Sequence, residues 1–173
     1  MPPTNRPRRA FTLVETIAAT AIMAVLATAS FALVRTANTA WLRHRDDSNQ
    51  RREASAAMQH IVRRVRQAKC VTSISAAADP AGSLSLALPG NTTAAWNRHA
   101  GTNQVRFGTA TPAELLATGI TELRFVGLKA NGSTPTTELG LIHAVQCTLR
   151  YSLARPAGPM TETLSCTAWL RAW

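Results

Sequence analysis

The sequence predicts an α+β protein in which one long N-terminal helix packs on a small antiparallel sheet. Two observations support this. Residues 11–79 contain neither Pro nor Gly, whereas the chain after Pro80 alternates between short apolar runs and turn residues. Pro and Gly disfavour helix interiors, and alternation is typical of half-buried strands. With 173 residues, the chain has room for one ordinary domain and one additional element.

The N-terminal part divides into a basic leader and an apolar run. Residues 1–10 contain three prolines, which exclude a stable helix, so we expect a cytoplasmic leader. Residues 11–34 form an apolar run whose only charge is Glu15. At about 1.5 Å per residue this run reaches about 36 Å, enough to span a bilayer. The leader arginines favour export of the rest of the chain, although the arginines that follow the run weaken this orientation.

Residues 35–70 are predicted to continue the helix as an exported, amphipathic half. Apolar residues recur there at helical spacing and form one stripe: Met58, Ile61, Val62, Val65 and Ala68. We expect this stripe to lie on a domain and the helix to end near Lys69. Residues 46–49 favour a helix poorly, so we expect a local bend or a solvated face at Asp46 and Asp47.

Residues 71–173 are predicted to form a globular, β-rich domain. Alternating apolar residues over 145–153 and 164–170, joined by a turn at 155–159, predict an antiparallel hairpin with one apolar face. The other segments have less regular sequence patterns. They predict strands over 84–88, 104–107 and 120–128, an irregular segment over 91–102, and a single helical turn over 112–117.

Two cysteines lie at mirrored positions around the predicted turn. Without a register slip, Cys147 and Cys166 face each other on the same side of the hairpin, which predicts a disulfide between them. The alternative is a pair of buried thiols that act as small apolar residues. An exported domain would permit the bond. Cys70 has no evident partner, and we expect it to be buried.

Residues 8–15 combine the basic leader, a small residue at Ala10 and an early acid in the apolar helix. A charged residue within a membrane span costs about 2.5–3.5 kcal/mol, so Glu15 needs a partner. Cleavage after Ala10 would give Phe11 a positive amine one helical turn from Glu15. Pairing of Glu15 with the amine of a neighbouring subunit would set the stagger between subunits, so we predict an assembly role for Glu15.

The stretch Phe11-Thr12-Leu13-Val14-Glu15 resembles the processing site of the type IV prepilin family. This resemblance implies cleavage between Ala10 and Phe11 by a membrane prepilin peptidase, followed by N-methylation of Phe11. Ala10 stands where the family has Gly, and both residues are small. Residues 58–68, 115–126 and 144–153 loosely resemble J-type minor pseudopilins of type II secretion and W-type minor pilins.

The function that the resemblance implies is a minor pseudopilin or pilin without a cofactor or enzymatic activity. Such a subunit is held in lipid of the bacterial inner membrane by one span, with its C-terminal domain in the periplasm. It joins sibling subunits in a periplasmic filament, or its tip, for protein secretion. Alternatives are a minor pilin of a type IV pilus or DNA-uptake filament, and a membrane-anchored periplasmic enzyme or binding domain. For the N-terminus, the alternatives are a signal peptide cut before Ser30 and an uncleaved anchor.

Charge and motif content argue against other classes of protein. The net charge is +10, and it falls to +7 without residues 1–10. The arginines are spread over the chain without an interleaved aromatic run, so nucleic acid is not expected as a partner. Scattered histidines and the absence of a CxxC pair predict no metal site. Trp169 and Trp173 fall on the polar face of the last strand, where they mark a partner surface or cover the helix.

Overall fold

The computed structural model describes residues 12–155 and 158–171. Ala10, Phe11 and Trp173 therefore lie outside the described residues. One helix, α1 (Leu13–Gln67), precedes all the strands, and a 3₁₀ turn (Leu139–Leu141) separates the sixth strand from the seventh. The strands are β1 (Cys70–Ile74), β2 (Ser83–Ala87), β3 (Thr93–His99), β4 (Gln104–Gly108), β5 (Glu114–Ala117), β6 (Ile120–Leu128), β7 (Ala144–Leu153) and β8 (Met160–Trp169). A long helix followed by antiparallel sheets confirms the predicted α+β, pilin-like fold.

The chain divides into two compact units, Met1–His44 and Arg45–Trp173. The described part of the first unit is helical from Leu13 onwards, and its large apolar side chains are exposed. The second unit contains the rest of α1 and both sheets. Only the second unit has a buried core within the described residues.

The strands of the second unit form two antiparallel meanders. Five strands pair in the order β1-β2-β3-β4-β5, and three pair in the order β6-β7-β8. The predicted hairpin is confirmed, because β7 and β8 pair from Ala144 with Trp169 to Leu153 with Met160 without a register shift. The predicted strand over 120–128 is confirmed at the same bounds as β6.

The loop between β1 and β2 joins the two sheets. Ala81 forms a parallel bridge with Leu123 of β6. The Leu123 N–H donates to the Pro80 carbonyl (3.0 Å), and the Gly82 N–H donates to the Leu123 carbonyl (2.9 Å). A Cβ at position 82 would lie 2.5 Å from that carbonyl oxygen, so the close approach requires glycine.

The second half of α1 packs its apolar stripe on the sheets, as predicted. Met58, Ile61, Val65 and Ala68 are buried, and Val62 is partly buried against them. Two small residues extend the stripe towards the N-terminus, because Ala54 and Ala57 are fully buried as well. Both are small side chains within the packed interface between the helix and the sheets.

Two predictions about the five-stranded sheet are wrong. The segment 91–102 is not irregular, because it contains β3, whose Trp96 is fully buried. The segment 112–117 forms β5 rather than a helical turn. In both cases hydrogen bonds to neighbouring strands override the weak local pattern.

Two further predictions fail near the ends of the second half of α1. Cys70 is exposed rather than buried, because it opens β1 at the edge of the sheet. Residues 46–49 remain helical, and Asp47 is buried rather than solvated. Its Oδ2 lies 2.6 Å from Nη1 of Arg155, and this ion pair compensates for the burial of the carboxylate.

Candidate functional site

The first described residue caps the start of α1. The Oγ1 of Thr12 accepts a hydrogen bond from the Glu15 N–H (3.3 Å), and the Thr12 carbonyl lies 3.0 Å from the same nitrogen. A threonine followed three residues later by a glutamate has the spacing of a capping box. Glu15 therefore lies in the first helical turn, where the helix dipole favours a negative charge. The Thr12-x-x-Glu15 spacing could have indicated this cap from sequence.

Glu15 stands among exposed apolar side chains. Leu13 and Val14 are 77% and 74% exposed, and no cation pairs with Glu15 within the described residues. Ala10 and Phe11 lie outside those residues, so cleavage, methylation and the pairing of Glu15 with an amine all stay predictions. The Thr12 cap bonds to the backbone of Glu15, so the Glu15 carboxylate remains available to pair with a cation.

The helix that follows has the composition of a membrane span. It is long and apolar enough to cross a bilayer, with a mean hydropathy of 2.2 in its most apolar window, and no residue of that window is buried. The hydroxyls of Thr16, Thr20 and Thr28 donate to helix carbonyls three residues earlier, at 2.8–2.9 Å. Their hydrogen-bonding needs are thus met within the helix, as a lipid environment requires.

Four polar residues of α1, which we call the polar clasp, hold the strands of the second unit: Asp47, Gln50, Arg51 and Glu53. The Gln50 Nε2 donates to the Thr118 carbonyl (2.5 Å), and Oε2 of Glu53 accepts from the Thr118 hydroxyl (2.9 Å). Gly119 follows with a φ of +67°, and a Cβ there would lie 2.5 Å from Gln50 Nε2. The clasp thereby fixes the turn that leads into β6.

The clasp also binds the last strand. Arg51 contacts both carboxylate oxygens of Glu162 on β8, with Nε 3.1 Å from Oε2, and the Tyr151 hydroxyl donates to Oε2 (2.5 Å). The Arg51 guanidinium and the tyrosine lower the pKa of Glu162. A two-point arginine contact fixes orientation as well as distance, so this pair aligns β8 with the helix. Asp47, Arg51 and Ala54 share helical spacing, a signal that the sequence analysis missed.

The structure places Cys147 directly opposite Cys166, as the predicted register requires. Both are thiols, and burial raises the pKa of Cys147 to about 12. The Leu170 N–H donates to the His143 carbonyl. Hydrogen-bonded and non-hydrogen-bonded pairs alternate along an antiparallel ladder, so Cys147 and Cys166 form a hydrogen-bonded pair. Such pairs have Cβ atoms about 5.5 Å apart, and a disulfide needs about 3.8 Å. The disulfide stays a prediction that requires the strands to approach.

No group of three or more potential metal-ligating side chains occurs in residues 12–155 and 158–171. Two grooves of about 350 and 300 Å³ are open to solvent. The larger lies beside β6 and is lined by residues that include Ile74, Phe125 and Lys129. The smaller lies at the end of α1, between Arg64 and Arg171.

Comparison with known proteins identifies the N-terminal segment. Residues 5–31 match the family described as the prokaryotic N-terminal methylation motif. Comparisons with curated proteins and with solved structures find no match. The matched residues span the second part of the predicted leader, the predicted cleavage position and most of the predicted apolar run. The chain therefore carries a prepilin-like N-terminal methylation motif at the start of a long apolar helix.

Proposed function

We propose that this pilin-like chain is a minor pseudopilin or minor pilin, assembled into a periplasmic filament or its tip for protein secretion. One observation carries the proposal: the methylation motif opens a continuous helix of 55 residues whose later part packs on a β-rich domain. A helix of this kind supplies both a membrane anchor and a surface for neighbouring subunits. The proposed parts are the leader 1–10, the membrane half 11–34, the exported half 35–70 and the domain 71–173.

In the proposed mechanism, the prepilin peptidase cuts between Ala10 and Phe11, and the Phe11 amine is methylated. The subunit then waits in the inner membrane with its domain in the periplasm. On assembly, the Glu15 carboxylate pairs with the Phe11 amine of the same chain or of a neighbour. That pairing removes the cost of a charge in lipid and sets the axial stagger of the subunits. The Thr12 cap supports this role because it orders the backbone from which Glu15 projects.

The N-terminus of the mature protein tests the proposal. The protein purified from membranes is analysed by intact mass and terminal sequencing. A chain that begins at Phe11 and carries one added methyl group is the expected result. A start at Ser30 would mean an exported domain without an anchor, and a start at Met1 would mean a plain anchor; either would overturn the proposal.

A minor pilin of a DNA-uptake filament is the second candidate, because one observation favours it. Arg63, Arg66 and Lys69 are exposed near the C-terminal end of α1 and have no ion-pair partner in the described chain. Clustered free cations suit a phosphate backbone.

A duplex oligonucleotide added to the full chain in nanodiscs distinguishes this candidate. If the DNA-uptake candidate is correct, the affinity of the chain for the oligonucleotide falls steeply with salt. Binding is then lost when Arg63, Arg66 and Lys69 are all changed to Glu. A control with three exposed arginines outside the cluster changed to Glu has the same net charge. Equal losses in both variants, or no binding by the unaltered chain, would exclude the DNA-uptake candidate.

A further inference from the structure

In the described part of the chain, three of the four sheet edges have features that hinder pairing with another chain. At the ends of the five-stranded sheet, β1 has five residues and a register shift, and β5 has four residues beside a shift in β4. The β6 edge is covered by the bridges to Ala81 and Pro135. Short strands, bulges and covering segments are the devices by which soluble sheets avoid edge-to-edge association.

The fourth edge, β8, has none of these devices. It is ten residues long, pairs with β7 without a shift and contains neither Pro nor Lys. Its one charged residue, Glu162, is neutralised by Arg51. Met160 and Trp169, at its two ends, are each 51% exposed. A long, regular and uncharged edge is a template for an additional strand.

The hydrogen-bond pattern shows which main-chain groups are free on this edge. Because the Leu170 N–H faces β7, the even-numbered residues of β8 bond to β7 and the odd-numbered residues face outwards. The outward residues Thr161, Thr163, Ser165 and Thr167 are exposed. Within the described chain, their main-chain groups make no further hydrogen bond except a long contact from Cys166 Sγ to the Thr167 carbonyl (3.8 Å).

We propose that β8 is a docking edge for an extended, uncharged strand of a sibling subunit, which adds to the three-stranded sheet as a fourth strand. A row of alternating free donors and acceptors at strand spacing is complementary to another strand. The threonines and serine beside it favour β-branched or hydroxyl-bearing partners. This inference rests on the proposed filament function and specifies how one sibling contact is made.

An antiparallel second copy does not fit this edge in the proposed filament. Arg51 lies beside Glu162, and Arg64 and Gln67 lie beside Arg171, so β8 runs in the same direction as the second half of α1. A second copy paired antiparallel through β8 would direct its own helix the opposite way. Such a pair does not fit the proposed filament, in which the helices of sibling subunits lie side by side in one direction, so we assign the edge to a different subunit.

Amide hydrogen exchange tests the proposal on the full chain. Exchange of residues 161–169 is measured for the isolated subunit in detergent and for filaments assembled with sibling subunits. The expected result is alternating: the amides of Thr161, Thr163, Ser165 and Thr167 slow by about tenfold or more on assembly. The even-numbered amides are protected in both states. Filaments that contain the chain but leave the odd-numbered amides unprotected would overturn the docking edge and leave the filament function intact.

Two substitutions at one position provide the matched variants. Thr163→Pro removes an outward N–H and keeps the bonds to β7, since proline is tolerated at an edge. Thr163→Val retains the N–H and the branched shape. We expect the proline variant to lose incorporation into filaments, with its even-numbered amides still protected, and the valine variant to assemble normally. Normal assembly of both variants contradicts the proposal, as does a cross-link from position 163 to a second copy of this chain. Absence of the unaltered chain from filaments would overturn the proposed function and this inference together.

Discussion

Gly82 lies where the loop between β1 and β2 bonds to β6, and it gives a direct test of that junction. Gly82→Ala would bring a Cβ to 2.5 Å from the Leu123 backbone, which cannot yield as a flexible side chain would. We expect a loss of about 1–3 kcal/mol in the free energy of unfolding. Denaturant unfolding measures it. Gly140→Ala meets open space and should stay within about 0.5 kcal/mol; equal effects would mean that the junction is not tight.

His60 couples stability to pH. It lies between Trp96, whose indole N–H donates to His60 Nδ1 (3.4 Å), and the Phe107 ring, with ring centroids 4.6 Å apart. Burial, and then Arg64 and Arg63, lower the pKa of His60 below its ordinary value of 6.5.

A histidine held neutral in the folded state binds its proton more readily when the chain unfolds. The stability that it contributes is therefore complete above pH 6.5 and is lost as the pH falls towards the lowered pKa. Melting temperatures between pH 7.5 and 5 should fall less steeply for His60→Gln than for the unaltered chain. Parallel curves would contradict the assignment.

Two of the buried residues in the second half of α1 are the small residues Ala54 and Ala57. Ala57 is fully buried, while Ala56 beside it is exposed. Ala57→Leu should cost about 1–3 kcal/mol of unfolding free energy because the added atoms overfill a packed interface. Ala56→Leu adds the same atoms on the solvent side and should be nearly neutral. Thermal unfolding of both variants checks the difference, and a tolerated Ala57→Leu would show that the helix is loosely packed.

The elements with strong periodicity could be predicted from sequence, and the others could not. The apolar stripe of α1 and the alternation in β6, β7 and β8 gave correct structures because buried residues there recur at one period. In β3, Ala94, Ala95 and Trp96 are all buried in succession, so no alternation is visible. The strand β5 has four residues and derives its structure from pairing with β4. Such tertiary hydrogen bonds leave no local signal.

The candidate site likewise has one part that the sequence predicts and one part that it does not. The motif around Glu15 is local, and the matched family agrees with its placement. The polar clasp joins residues far apart in the chain, such as Gln50 with Thr118. Asp47, a member of the clasp, was predicted to be a solvated acid, but it forms an ion pair with Arg155. Its burial depends on the ion pair with Arg155, which follows β7 in the chain. No sequence spacing could identify that partner.

At the scale of the whole molecule, we expect Glu15 to be required for filament assembly and not for the folding of the C-terminal domain. Glu15→Gln keeps the size and removes the charge, so an amine partner loses its counter-ion. We expect cleavage before Phe11 to continue and incorporation into filaments to fall by at least about tenfold, the effect of a lost charge pair of about 1.4 kcal/mol. Immunoblots of purified filaments against membranes measure it. Thr12→Ser, which can keep the cap, should assemble normally, and full assembly of Glu15→Gln would remove the role assigned to that charge.

The contact between Arg51 and Glu162 spans 111 positions of the chain and therefore sets an order of events at synthesis. Ribosomes release the helix first, and the strand that carries Glu162 emerges after all the other strands. Until then, Arg51 has no counter-ion and the hairpin of β7 and β8 does not exist. The domain can therefore close only after β8 has been synthesised, and during that interval its helix exposes an apolar stripe to chaperones or to neighbouring chains. Truncation before β8 would remove both the ion pair and the hairpin.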